Sequence, residues 1–207
     1  MKDGAHMSDP KTLLQFAGAD LSANSFSDSI LLTIDQQNEY VFGELPLYNI
    51  DSALSEAAVV LENARAAGAP IIHIVQAGRS GGLFDLQAAR GQIVDTVMPH
   101  AGERVIRKIR PNSFSETTLE ADLRQTGRTN LIVTGFMTHM CVSSTVRAAL
   151  DLGFRTTIVA GATATRDLPS ISGGPVINAG TLSNASLAAL ADRFAVIVPA
   201  AKDLKPG

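Results

Sequence analysis

Residues 130–160, NLIVTGFMTHMCVSSTVRAALDLGFRTTIVA, contain one complete unit of architecture. Asn130–Thr134 is apolar at successive positions, as in strands covered on both faces. Val142–Leu152 then carries apolar residues at helical spacing, and Gly153 closes it with the usual helix stop. Thr156–Ala160 is a second apolar run. Strand, helix and strand in this order imply two parallel strands joined by a helical crossover.

The same reading extends in both directions. Further strand-like runs fall at Ile30–Ile34, Pro70–Val75, Arg104–Ile106 and Ala195–Val198. Helical spacing covers Asp51–Ala67 before Gly68, Ser115–Gln125 before Gly127, and Leu182–Arg193. The expected fold is a three-layer α/β/α sandwich around a mostly parallel six-stranded sheet. Two Gly- and Pro-containing segments, Gln76–Gly91 and Leu168–Gly180, read as long loops of the kind that form lids. The expected layout is an extension over 1–28, a single domain over 29–200 and a tail over 201–207. The start of the extension, Met1–Met7 with His6, has no apolar signal-peptide core and reads as a vector-derived leader.

Composition narrows the function. A chain of 207 residues, 45% apolar with net charge −3, can bury one substantial core. It has no basic run of the kind that binds phosphate backbones or anionic lipid, so nucleic acid and membrane surfaces are not expected partners. No apolar run approaches the roughly 20 residues a membrane helix needs. One cysteine excludes an intrachain disulfide and suits a reducing cytoplasm.

In open parallel sheets, ligands bind at the carboxyl ends of the strands. Three reactive residues fall there: Asp35 after the first strand, Lys108 after the third and Cys141 in the turn after the fourth. A thiol near a helix N-terminus and a lysine is favoured as thiolate. A carboxylate can take its proton, and backbone amides of the same turn can receive an oxyanion, which together make an acyl-transfer site. Taken singly, each residue has a plainer reading. Cys141 can be a small buried hydrophobe, Asp35 a turn residue and Lys108 a solvated charge beside Arg107 and Arg110.

The segments SILLTIDQQNEY (29–40), RKIRPNSF (107–114) and VTGFMTHMCVSSTVRAALDLGF (133–154) resemble the isochorismatase-like hydrolases, or cysteine hydrolase superfamily. The resemblance runs from about Ser29 to Val198. It implies an Asp–Lys–Cys triad of Asp35, Lys108 and Cys141, in which the aspartate takes the thiol proton and returns it to the leaving amine. It also implies a cis peptide at Phe136–Met137 that turns the amides of Met137 and Cys141 into an oxyanion hole. Family members tend to be dimers or tetramers, so a homo-oligomer is expected, with loop residues such as Leu83, Phe84, Ile171 and Val176 facing a neighbour.

Two departures refine this picture. Nicotinamidases bind a metal through an aspartate and histidines after the first strand, but Tyr40–Asp51 holds no histidine, so no metal site and no cofactor are expected. His73, inside a strand, and His100, in a loop, read as structural. Isochorismatases proper cleave a vinyl ether without a cysteine nucleophile. A retained cysteine favours attack at an amide, ureido or lactam carbonyl of a small molecule. The alternatives are vinyl-ether hydrolysis and a catalytically idle metabolite-binding protein. Candidate pocket residues are Gln37, Tyr40, Phe42, Phe84, Asn112, Phe114, Phe136 and His139. Core packing is the other reading for Phe84 and Phe114, and an exposed turn position for His139.

Overall fold

The computed structural model describes residues 9–205; Met1–Met7, with His6, lies outside the described residues. Six strands form one all-parallel sheet in the order β3-β2-β1-β4-β5-β6. They are β1 (Ser29–Ile34), β2 (Ile71–Gln76), β3 (Arg104–Lys108), β4 (Asn130–Phe136), β5 (Arg155–Ala164) and β6 (Val196–Val198). Three of the helices are α1 (Leu13–Phe16), α2 (Ile50–Ala66) and α3 (Leu119–Gln125). The other two are α4 (Ser143–Asp151) and α5 (Ala179–Arg193).

Alternation along the buried strands sorts the core into two halves. Leu31, Ile71, Ile132 and Val159 face α2, which contributes Leu54, Val60 and Leu61. Ile30, Leu32, Ile34, Leu131 and Val133 pack on the other side with Leu119 and Leu123 of α3, Val146 of α4 and Leu190 of α5. Residues flanking the 29–200 span join this core: Phe26 is 3% exposed and Leu204 5% exposed, and both pack in the α2 half.

Differences from the expected elements have local causes. α3 starts at Leu119 rather than Ser115, because local side chains compete for the preceding backbone: Asn112 Oδ1 accepts from the Phe114 amide, the Ser113 amide donates to Thr145 Oγ1 and the Thr117 hydroxyl donates to the Ser113 carbonyl. α5 starts at Ala179, since Asn178 caps it by accepting from the Thr181 amide at 2.8 Å; Gly180, expected in a loop, is helical. β2 and β3 pair as far as Gln76↔Lys108, so Lys108 ends its strand and Gln76 is no loop residue. β4 continues through Gly135, which is therefore in the strand rather than in the turn after it.

The sheet order reverses between β1 and β4, which run side by side while the chain builds outward on either side. Such a switch point opens a crevice at the carboxyl ends. β3 is an edge strand with Arg104 and Arg107 exposed, charges that discourage pairing with another sheet. A buried polar chain ties the opposite end of the sheet. His73 in β2 bonds Thr33 at 2.9 Å and Glu103 at 2.9 Å, and Glu103 pairs with Arg65 of α2 at 2.8 Å. Partial burial opposes the charge on Glu103, but Arg65, the His100 amide and His73 hold its carboxyl down to about 2.

Candidate active site

Asp35 is the first residue beyond β1 and adopts φ +52, a left-handed conformation that aspartate tolerates better than most residues. Its amide donates to the Ile74 carbonyl at 2.9 Å, so β2 fixes it. On the other side β4 approaches closely at Gly135, where φ is +120 and a Cβ would lie 2.0 Å from the Ile34 carbonyl oxygen. Only glycine fits there.

Lys108 ends β3, two strands away from Asp35, and its side chain crosses above β2. The ammonium is fully enclosed: Nζ lies 2.7 Å from Asp35 Oδ2, donates to Gln76 Oε1 at 2.7 Å and to Cys141 Sγ at 3.3 Å. Cys141 sits in a π-helical turn, Thr138–Val142, that leads straight into α4. The carbonyl of Met137 accepts from the amides of Met140 (2.9 Å) and Val142 (3.3 Å), which flank Cys141. The Phe136–Met137 peptide bond is cis. Asp35, Lys108 and Cys141 are 0%, 2% and 6% exposed, so three groups distant in sequence meet in a nearly dry pocket.

This dryness overturns the thiolate expected from the helix terminus and the lysine. Burial first, and then the negative charge of Asp35, push the Cys141 thiol up to about 12, with Lys108 opposing only in part. Burial likewise drives the Asp35 carboxyl above its ordinary value despite the adjacent ammonium. The resting sulfur therefore carries its proton, and the nearby carboxylate is a stronger base than an exposed one.

The expected pocket residues separate into those beside the cluster and those elsewhere. Tyr40 is buried, with edge-to-face contacts to Phe84 (5.2 Å) and Phe136 (5.8 Å). Its phenol is raised well above the ordinary value, by burial and then by the charge of Asp35. His139 Nδ1 is 2.6 Å from Thr165 Oγ1, and its Nε2 is buried without a protein partner among the described residues. Burial, and then Arg166, lower its pKa, favouring a neutral ring.

Gln37 is not a pocket residue. Its carboxamide is consumed by backbone, donating to Gln76 O (3.0 Å) and Gly91 O (2.7 Å) and accepting from Gln76 N (2.8 Å). Phe42 is 63% exposed and lines nothing enclosed. Phe114 stacks on Phe154 in the core (6.1 Å), and Asn112 spends Oδ1 on the Phe114 amide. Residues absent from the expected set hold the surroundings. Glu39, fully buried, accepts from the amides of Glu44 (2.8 Å) and Phe84 (3.0 Å). Arg90 closes the Gly-rich loop by donating to the carbonyls of Gly81 (2.9 Å) and Gly82 (2.8 Å). Among the described residues, no three His, Cys, Asp or Glu side chains gather as a metal site.

The family model described as the isochorismatase domain matches residues 29–202. The chain belongs to the isochorismatase family. An isochorismatase from Pseudomonas putida KT2440 superposes with a TM-score of 0.90 at 41% identity, over 95% of this chain and all of that one. The secreted isochorismatase effector Isc1 of Verticillium dahliae is 35% identical over 90% of this chain and 95% of its own length. The ureidoacrylate amidohydrolase RutB of Pseudomonas savastanoi pv. phaseolicola is 30% identical, over 66% of this chain and 70% of its own. The isochorismatase-family assignment makes the protein a hydrolase. No helix among the described residues is long and apolar enough to cross a membrane.

Proposed function

We propose that the protein is a cysteine amidohydrolase that opens a carbon–nitrogen bond of a small molecule through a thioester. The observation that carries this reading is the enclosed ammonium of Lys108, held against both Asp35 (2.7 Å) and Cys141 (3.3 Å). Similarity to an amidohydrolase acting on ureidoacrylate supports the bond type.

In the reaction, the Cys141 sulfur attacks the substrate carbonyl carbon as its proton passes to Asp35. The raised basicity of Asp35 lessens the uphill character of that transfer. Amides of Met137 and Cys141 serve as donors to the oxyanion. The tetrahedral species collapses with the proton moving from Asp35 to the departing nitrogen, leaving a thioester. Water then attacks, Asp35 taking one of its protons, and on release of the acid that proton returns to the sulfur. Throughout, Lys108 supplies the positive charge that keeps either carboxylate or sulfur ionised. Tyr40, Phe84, Phe136 and His139 line the substrate side, a mixed aromatic and polar wall that suits a compact neutral group.

We place the enzyme in the cytoplasm, where its lone thiol stays reduced. We further propose a homodimer or homotetramer in which Ile171 (103% exposed), Val176 (62%) and Leu83 (38%) meet a second copy; light scattering after gel filtration tests it. The decisive test is ammonia release from a panel of small amides, ureido compounds and lactams, with mass spectrometry for other amine products, run beside Cys141→Ala. Turnover lost in the variant supports the proposal; turnover that survives in it ends the proposal.

A further inference from the structure

The reactive cluster contains a fourth member that none of the chemistry above uses. Gln76 ends β2 and is the direct cross-strand neighbour of Lys108. Strands lie about 4.8 Å apart, so a lysine on β3 that serves Asp35 beyond β1 must pass over the end of β2. Gln76 stands at that crossing, with Oε1 accepting from Nζ at 2.7 Å. Its own placement is firm. Gln37 grips its backbone on both sides, accepting from Gln76 N at 2.8 Å and donating to Gln76 O at 3.0 Å. The far end of its carboxamide, Nε2, faces the Ala77 carbonyl at 3.4 Å, which turns Oε1 toward the lysine.

Three acceptor groups surround the ammonium: it donates to the Gln76 oxygen and the Cys141 sulfur, and the Asp35 carboxylate is its ion-pair partner at 2.7 Å. Two of those acceptors change during turnover. Asp35 gains a proton and the sulfur becomes a thioester, so both lose their hold on the ammonium within one cycle. The Gln76 oxygen is the acceptor whose charge stays constant.

We infer that Gln76 is the positioning residue that anchors Lys108 between Asp35 and Cys141 through the reaction. The inference rests on the amidohydrolase reading for its kinetic part only, because the anchoring can be read without substrate. Among the described residues a neutral anchor also leaves Asp35 as the only carboxylate on Lys108; a glutamate at 76 would compete for the ammonium and raise the Asp35 pKa further.

The experiment uses the full chain carrying 15N-lysine, with Lys108→Met to assign the buried ammonium signal. Wild type should show a slowly exchanging Lys108 ammonium. Gln76→Met, close in length but without the acceptor, should exchange at least about tenfold faster through easier local opening. With a substrate from the panel, its kcat should fall about 10- to 100-fold while KM stays within about twofold. Gln76→Glu keeps the acceptor and the slow exchange, but moves the acid limb of kcat/KM upward by about one pH unit. Circular dichroism checks folding, and Gln76→Asn, whose oxygen is withdrawn by one methylene, replaces Gln76→Met if that variant unfolds.

Unchanged ammonium exchange in a folded Gln76→Met would overturn the anchor, as would an acid limb in Gln76→Glu that does not move. Failure of the amidohydrolase reading looks different: no Cys141-dependent turnover, with the exchange data still deciding the role of Gln76.

Discussion

Replacing Asp35 with asparagine should move two measurements in opposite directions. The substitution keeps shape but removes both the charge and the proton acceptor. Asp35 and Cys141 touch the same ammonium, at 2.7 and 3.3 Å, so carboxylate and sulfur are no more than about 6 Å apart. At a separation of about 5 Å and an effective dielectric of about 20, their repulsion is worth about 3 kcal/mol, or about 2 pH units on the thiol. The Cys141 pKa should drop from about 12 toward about 10, raising the thiolate fraction at pH 7.5 about 100-fold. A less basic thiolate is also less nucleophilic, which returns about tenfold of that gain. Iodoacetamide should therefore label Asp35→Asn about tenfold faster than wild type, while hydrolysis falls by about 10²- to 10⁴-fold for want of a base. Both rates are measured on the same preparation at pH 7.5, labelling by intact-mass spectrometry and turnover by product release. Slower or unchanged labelling would refute the electrostatic account, and turnover above about a tenth of wild type would remove Asp35 as the base.

Other substitutions probe separate links of the argument. The acid limb of kcat/KM should lie above the ordinary aspartate value of 3.8, because Asp35 must be ionised to accept a proton and burial raises its pKa; a limb at or below 3.8 contradicts this. Gly135→Ala should cost at least about 1–3 kcal/mol in chemical denaturation, since an L side chain at φ +120 is strained and its Cβ meets the Ile34 carbonyl; a neutral result would show that β1 and β4 separate freely. Glu103→Gln should lower stability at pH 7 by about 2–4 kcal/mol, by removing the negative charge that Arg65 and His73 share. Because the folded Glu103 titrates at about 2 against 4.5 for the ordinary group, its stabilising contribution is complete above pH 4.5 and fades toward pH 2. Wild type and variant should therefore converge in acid, and a constant gap between them would dismiss the ion pair as the cause.

The sheet and the three reactive residues were legible because parallel strands announce themselves as apolar runs and ligands collect at strand ends. Asp35, Lys108 and Cys141 needed only that rule. What it does not supply is side-chain direction. Gln37 and Tyr40 both follow β1 within a few residues, yet one is spent on backbone and the other stands beside the cluster. Phe114, just past Lys108, points into the core against Phe154. Gln76 was hidden by being grouped with the glycines after it, although a polar residue ending a buried strand was the available signal. Glu39 and Arg90 were invisible for another reason: they pair with each other across about fifty residues of chain, and no local spacing encodes such a pair. The thiol pKa was misjudged because sequence shows neighbours but not solvent exclusion.

Lys108 belongs to the outermost strand of the sheet, whereas Asp35 and Cys141 follow strands near its middle. Edge strands open locally at lower free energy than the centre. A brief detachment of β3 would carry the ammonium away while both halves of the core stayed folded. On warming, the enzyme should therefore fall silent a few degrees before it melts, and should recover at once on cooling, the signature of a machine disarmed rather than dismantled.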